Sequence, residues 1–156
     1  TTATAGKWNP EYKPFTIGAW IRPSNATGVI AAHGGESIGY SFGLQDGKVA
    51  LSVRNGGVLT TVVGPTIENN TWSNVVAILN RQGTVDFIVN GVTTKTKTKA
   101  GFLHGPPADG FNVGQDDGSI VGDYDDANGF QGQLADFRLW WGIPEKEVLQ
   151  EWATTK

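Results

Sequence analysis

The chain has 156 residues, 22 glycines, six tryptophans, no cysteine and a formal net charge of −3. Without cysteine it can form neither a disulfide framework nor a thiolate metal site, and its slight negative charge argues against a general nucleic-acid surface. No apolar run approaches the roughly 20 residues that a membrane span needs, so we expect no membrane partner.

Short strands separated by turn residues dominate the sequence. Asp46-Gly47 and Asn90-Gly91 each stand between two such runs and predict two-residue hairpins. The run 72–79 is apolar on both faces, which predicts a central strand that is buried on both sides. The predicted strands are 15–22, 28–32, 40–44, 48–54, 58–63, 72–79, 84–89, 92–97 and 133–140.

Only the C-terminal tail has a helical pattern. Pro144 suits a first helical position, and Val148, Leu149 and Trp152 then form one apolar stripe. Strands at this regular spacing predict an all-β sandwich or barrel. We expect a single domain over residues 1–156, in which residues 1–14 form an N-terminal extension that is packed on it or partly flexible. Because Thr1 replaces an initiator methionine, we interpret the chain as a mature protein or an excised domain.

An acidic, glycine-rich loop precedes the last predicted strand. It carries five aspartates within residues 114–126, and a cluster of carboxylate oxygens suits a hard cation such as calcium. The alternative is a solvated loop held by Asx-turns, which aspartate and asparagine favour.

Several segments together resemble a known family. They read FTIGAWIRP, AAHGGESIGYSFGLQDGKVALSVRNGG, TWSNVVAILNRQGTVDFIVNG and VGQDDGSIVGDYDDANGFQGQLADFRLWWGIPEKEVLQ. This order resembles the laminin-G-like, concanavalin-A-like jelly-roll modules of bacteria, from about Phe15 to Trp152. The resemblance implies a two-sheet antiparallel jelly-roll sandwich with one short C-terminal helix.

Two segments carry a narrower resemblance. The VGDY…F.G.LADFRLW and HGG…GY segments resemble the C-terminal accessory domain of planctomycete-type sulfatases. This likeness implies a secreted, periplasmic or cell-surface protein that is tethered to a polysaccharide-active catalytic domain outside this chain. It also implies metal ligands, since Asp116 matches the acidic position of the family's loop and Asp136 that of its last strand. Alternatively, Asp136 pairs with Arg138 or Arg54 across the sheet.

The sequence gives no support for catalysis. Residues 35–39 match a G-x-S-x-G pattern, but an alternating strand follows where a nucleophile elbow needs a helix. No strand carries the paired carboxylates of a glycosidase; Asp86 and Asp136 stand alone. The two histidines exclude a three-histidine zinc site. We therefore expect no catalytic residues.

Candidate ligand-binding residues come from two regions. Tyr124 and Asp123 lie in the acidic loop, where an aromatic ring can stack on a sugar. His33 and Tyr40 flank a glycine-rich loop that we expect at the same end of the sandwich. Arg54 can bind a carboxylate or sulfate through two parallel hydrogen bonds.

A row of lysines allows two interpretations. Lys95, Lys97 and Lys99 alternate with threonines, so a strand places all three on one side. They form either a stripe for an acidic polysaccharide or, as we favour, the guard of an exposed edge strand.

These observations predict a non-catalytic, lectin-like carbohydrate-binding module of a secreted polysaccharide-active enzyme, with acidic or sulfated glycans as the favoured ligands and calcium as a candidate cofactor. The alternatives are a structural module that docks on a catalytic domain and an adhesion module that binds protein.

Overall fold

The structure is a computed structural model, and it describes residues 12–35, 37–107, 110–115 and 129–155. The described chain has ten strands and one helix. They are Phe15–Pro23 (β1), Gly28–Gly34 (β2), Ile38–Gln45 (β3), Lys48–Asn55 (β4), Val58–Thr66 (β5), Ser73–Leu79 (β6), Thr84–Val89 (β7), Val92–Lys99 (β8), Phe111–Val113 (β9), Gly132–Trp141 (β10) and Lys146–Trp152 (α1).

The strands form two antiparallel sheets of five strands each. The first sheet has the order β10-β1-β6-β7-β8, and the second has the order β5-β4-β3-β2-β9. The predicted two-sheet antiparallel sandwich is confirmed. All nine predicted strands match to within a few residues, and the additional β9 is only three residues long, too short for its alternation to be recognised.

The core lies between the two sheets, and strand alternation fills it. On β1, Phe15 and Ile17 point inward, where they pack with Tyr40 and Phe42 of β3. All four side chains are fully buried. Burying a large apolar side chain contributes about 1.5–3 kcal/mol, so the inward rows supply most of the stability. The outward rows are therefore the positions at which the two sheets can differ.

The central strand β6 is buried on both faces, as the sequence predicts. Val75 and Leu79 join the core between the sheets, whereas Val76 and Ile78 join a second apolar cluster on the outer face of the first sheet. This second cluster also holds Trp20, which is buried between β6 and helix α1.

Helix α1 covers that outer face of the first sheet. Leu149 and Trp152, three residues apart, are buried in the second cluster. Val148 is 43% exposed, so its predicted place in the buried stripe is wrong. The helix begins at Lys146 with Glu145 as N-cap, so Pro144 precedes it instead of occupying its first position.

Both predicted hairpins are confirmed. Asp46-Gly47 and Asn90-Gly91 have positive φ at both residues, which is the backbone of a type I′ turn. The described chain contains no helix that is long and apolar enough to cross a membrane.

Candidate functional site

His33 and Tyr40 do not lie on a binding surface. The two residues are opposite each other on β2 and β3, and both side chains point into the sandwich with no exposed area. The Tyr40 ring packs against Phe15 at 4.8 Å and has an edge contact with His33 at 5.7 Å. Burial raises the pKa of the Tyr40 hydroxyl. Neither ring is accessible at the surface, so the structure gives no support to the predicted ligand contacts of His33 and Tyr40.

Arg54 lies on the opposite side of the same sheet. It is directly opposite Gly39, one residue before Tyr40, and therefore points to the outer face. The side chain is partly buried, and Nη1 donates a long hydrogen bond of 3.5 Å to the Gly57 carbonyl. Of the predicted ligand residues that the structure describes, only Arg54 occupies an outer face. The alternation of β3 and β4 separates it from Tyr40 and His33.

A row of small and polar side chains crosses this outer face beside Arg54. Ser41 of β3 is opposite Ser52 of β4, and Ser52 is opposite Thr61 of β5. The hydroxyls of Ser52 and Thr61 share a hydrogen bond of 2.8 Å. The row continues through Ala32 to Asn112, whose amide nitrogen is buried without a hydrogen-bond partner in the described part of the chain.

The middle of this face is a depression of about 70 Å³. Its lining comes from the outward residues and backbone of β2, β3 and β4 and includes hydroxyl and amide side chains. The lining residues are Thr27, Gly28, Val29, Ser41, Phe42, Gly43, Leu44, Gln45, Ala50 and Ser52.

Two glycines keep the floor of the depression low. A Cβ atom on Gly43 would stand only 2.3 Å from the Gly28 carbonyl oxygen, so β2 and β3 could not approach as they do. A Cβ atom on Gly28 would meet the Gly129 carbonyl at 3.0 Å. Residue 129 pairs with Val29 and brings the described chain back to the rim of this face. The close packing of the backbones therefore requires glycine at positions 28 and 43.

The predicted metal ligand Asp136 has other partners. Its Oδ1 accepts a hydrogen bond from Nε of Arg138 at 3.0 Å, and its Oδ2 accepts one from Nη2 of Arg138 and one from the Trp152 indole, both at 2.8 Å. The expected ion pair with Arg138 is therefore present, although the two residues are two apart on one strand and not across the sheet. The guanidinium also lies 4.7 Å from the centre of the Trp152 ring.

The backbone of Asp136 explains how the carboxylate reaches Trp152. Asp136 has φ of 49°, and together with Phe137 it stands opposite the single residue Ala19, which makes a β-bulge. Hydrogen bonds from Arg138 hold the pKa of Asp136 below its ordinary value despite some desolvation, and the Trp152 bond and the guanidinium charge act in the same direction. A carboxylate engaged in this way connects β10 to helix α1, and a metal role for Asp136 stays a prediction.

Asp116, Asp123 and Tyr124 lie outside the described residues. Within the residues that the structure describes, no three histidine, cysteine, aspartate or glutamate side chains are close enough to hold a metal ion. Calcium in the acidic loop stays a prediction.

The lysine-bearing strand β8 is an edge of the first sheet. Lys95, Lys97 and Lys99 are all exposed. Their position favours the interpretation of a guarded edge over that of a polysaccharide stripe.

Sequence reasoning missed Ser41, Ser52 and Thr61. A signal was present, because β3 and β4 place glycine, serine or alanine at every outward central position between large inward residues. This alternation of small and large residues indicates a face that is not packed by a second apolar layer.

The fold has many relatives of known structure. The chain superposes on a heptameric SAP-like pentraxin from Limulus polyphemus with a TM-score of 0.62, at 19% identity over 94% of this chain and 72% of that one. For the CBM40 domain of Ruminococcus gnavus IT-sialidase bound to α2,3 sialyllactose, the TM-score is 0.69, at 12% identity over 92% and 84%.

A third likeness is to the binding domain of botulinum neurotoxin serotype G, with a TM-score of 0.67 at 11% identity over 90% of this chain and 36% of that one. At these identities the likenesses establish the fold alone. A search of curated proteins finds no significant match. A family model described as the concanavalin A-like lectin/glucanases superfamily, of the laminin-G type, matches residues 2–144. The chain therefore belongs to the concanavalin A-like lectin/glucanases superfamily.

Proposed function

We infer that this protein is a non-catalytic, lectin-like module that binds carbohydrate on the outer face of its second sheet. The observation that carries this proposal is the depression between β2, β3 and β4, with the Ser41 and Ser52 hydroxyls and the Gln45 amide in its lining. Sugar hydroxyls are recognised by convergent polar groups of this kind in a concave surface.

Acidic glycans are the favoured ligand class. Arg54 lies on the same face as the hydroxyl row. It is two residues from Ser52 on β4, at the next outward position. A guanidinium can hold a carboxylate or sulfate group through two parallel hydrogen bonds. The CBM40 domain, which has the same fold, is bound to sialyllactose, a carboxylated sugar. Sialylated, uronic-acid and sulfated glycans are therefore the ligands to test first.

The acidic loop supplies the candidate ligands for calcium. Asp116 remains a candidate calcium ligand, with Asp123 and Tyr124 as candidate sugar contacts from the same loop. Oxygen ligands from carboxylates and backbone carbonyls suit calcium. We propose that the module is secreted or exposed at the cell surface and tethers a polysaccharide-active enzyme, of the planctomycete sulfatase kind, to its substrate.

A glycan array tests the proposal. The protein is applied to sialylated, uronic-acid, sulfated and neutral glycans, first in calcium and then in chelator. Binding in both conditions supports the module and removes calcium from the site, whereas binding only in calcium supports both. Ala50→Leu fills the depression and should abolish binding. The control variant, Lys97→Glu, changes an exposed residue of the other sheet and should bind as the wild type does.

A specific observation favours a second candidate function, a structural module that docks on a catalytic domain. Trp141 and Ile143 are each 44% exposed and Val148 is 43% exposed, all in the C-terminal 16 residues. Apolar exposure of this size can mark a protein contact. A blank glycan array from folded protein would favour this function over carbohydrate binding.

A further inference from the structure

The two described sheets have four edges, and three of them are protected. Edge strand β8 carries three lysines, β9 is only three residues long, and β10 carries Asp136 and Arg138 beside a bulge. These are the usual means by which proteins prevent the pairing of exposed strand edges.

The fourth edge, β5, lacks this protection over most of its length. Its sequence VLTTVVGPT contains no charged residue. Val58 is 67% exposed, Val63 41% and Leu59 36%. Pro65 cannot donate a backbone hydrogen bond, and the register with β4 shifts after Val63. The unprotected part is therefore the six residues 58–63.

We propose that β5 pairs antiparallel with β5 of a second copy of this chain. An uncharged strand is complementary to another uncharged strand, and a two-fold axis makes the contact close on itself. Side chains opposite each other must point to the same face, which restricts the register. With the axis at Thr61, Leu59 of each copy lies opposite Val63 of the other, and two exposed apolar pairs on the outer face come into contact.

The neighbouring edge does not prevent this contact. Strand β8 lies beside β5, but its Lys95 and Lys99 stand opposite the outward-facing Asp86 and Thr84. These lysines therefore project from the outer face of the first sheet, away from the second. They keep β8 unpaired while β5 pairs, so the contact joins only the second sheets into one ten-stranded sheet.

The dimer has a consequence for ligand binding, which rests on the proposed function. A two-fold axis between antiparallel strands of one sheet is perpendicular to that sheet, so both depressions open on the same side. Two sites that face one way can bind one polysaccharide chain or a glycan-bearing surface together. Their combined avidity can exceed that of a single site by roughly 10²–10⁴.

Light scattering and sedimentation of the protein without glycan test the pairing. At about 100 μM, where a contact of micromolar dissociation constant is occupied, the mass should be twice the chain mass of 16.6 kDa. Leu59→Lys and Val63→Glu should each weaken the dimer by about tenfold or more, because each places a charge opposite an apolar side chain. Val92→Lys, at an exposed apolar position on β8, an edge strand of the other sheet, is the control and should leave the mass unchanged.

An equimolar mixture of the two charged proteins tests the register. A heterodimer has one lysine–glutamate pair and one native pair, so mixing should restore a dimer that is about tenfold or more tighter than the dimer of either variant alone. A dimer held by backbone hydrogen bonds and apolar contacts should also persist in about 0.5 M salt, which screens surface charges.

Three outcomes would overturn the proposal: a monomer at about 100 μM, a wild-type dimer that dissociates in salt, or a dissociation constant that Leu59→Lys leaves unchanged. Circular dichroism spectra of the variants separate loss of pairing from loss of folding. A blank glycan array with a confirmed dimer would reject the proposed function and leave this inference standing.

Discussion

The outer faces of the two sheets differ in the size and polarity of their outward side chains. On the first sheet, Trp20, Val76 and Ile78 are large and apolar, and helix α1 covers them with Trp152. On the second sheet, Ser41 and Ser52 hold the corresponding central positions, and a depression lies between them and β2. Both sheets bury similar apolar rows on their inner faces. The inner rows thus specify the sandwich, and the outer rows decide which face supports a helix and which can hold a ligand.

The largest loss of stability is expected when the largest side chain of the helix-covered face is removed. Trp152 is 1% exposed and contacts Trp140 at 5.6 Å. Replacing a buried tryptophan by alanine costs about 3–5 kcal/mol, so Trp152→Ala should lower the free energy of unfolding by that amount in urea titration. Trp141→Ala, at a half-exposed ring on the same sheet, should lower it by less than about 1 kcal/mol. Equal losses would show that the helix is not held as the structure has it.

A smaller loss is expected at Asp136, which connects the bulge in β10 to the helix. Asp136→Asn removes the negative charge from three hydrogen bonds while keeping a residue that tolerates φ of 49°. Because the carboxylate is 45% exposed, water screens part of its interaction, and we expect a loss of about 1 kcal/mol. An unchanged free energy of unfolding would mean that packing alone holds Trp152.

The effect of Asp136 should depend on pH. Since its pKa is lower in the folded protein than the ordinary value of 3.8, the ionised group stabilises the fold above that value. This contribution is lost as pH falls through the folded pKa. The difference in melting temperature between wild type and Asp136→Asn should therefore be constant near neutral pH and shrink in acid. A difference that grows in acid would contradict the assigned hydrogen bonds.

The second face should show the opposite behaviour, with a large change in binding and little change in stability. Arg54→Ala removes the guanidinium but not the packing of the hydroxyl row. We expect at least a tenfold weaker affinity for an acidic glycan, with unfolding free energy changed by less than about 1 kcal/mol. Calorimetric titration and urea unfolding measure the two quantities. Unchanged affinity would move the acid-binding group elsewhere.

Charge reversal at the lysine edge should have the smallest effect. Lys97 is exposed on β8, and Lys97→Glu should change stability by less than about 0.5 kcal/mol and leave glycan affinity as it is. A loss of affinity that disappears in high salt would instead restore the lysines as a polyanion-binding stripe.

Most of the fold could be predicted because its signals are local. The positive-φ turns at Asp46-Gly47 and Asn90-Gly91, and the apolar run of β6, each depend on a few neighbouring residues. Strand β9 could not be predicted, since three residues carry no period. The exposure of Val148 also could not be predicted, because it depends on how α1 turns toward Trp20.

The candidate site was harder to predict, because it depends on the face to which each side chain points. His33 and Tyr40 are chemically suitable for sugar binding, but alternation directs them into the core, while Arg54 one row away points outward. The partner of Asp136 depends on the bulge opposite Ala19, which shifts the register by one residue. Such pairing between distant strands cannot be predicted from a local sequence pattern.

The most direct test is a glycan array on which wild type and Ala50→Leu are compared side by side. Their melting temperatures are measured first, to show that both proteins are folded. We predict that the wild type binds acidic glycans and that Ala50→Leu, which fills the depression, does not. Equal binding by both proteins would contradict the assignment of the second sheet's outer face as the carbohydrate site.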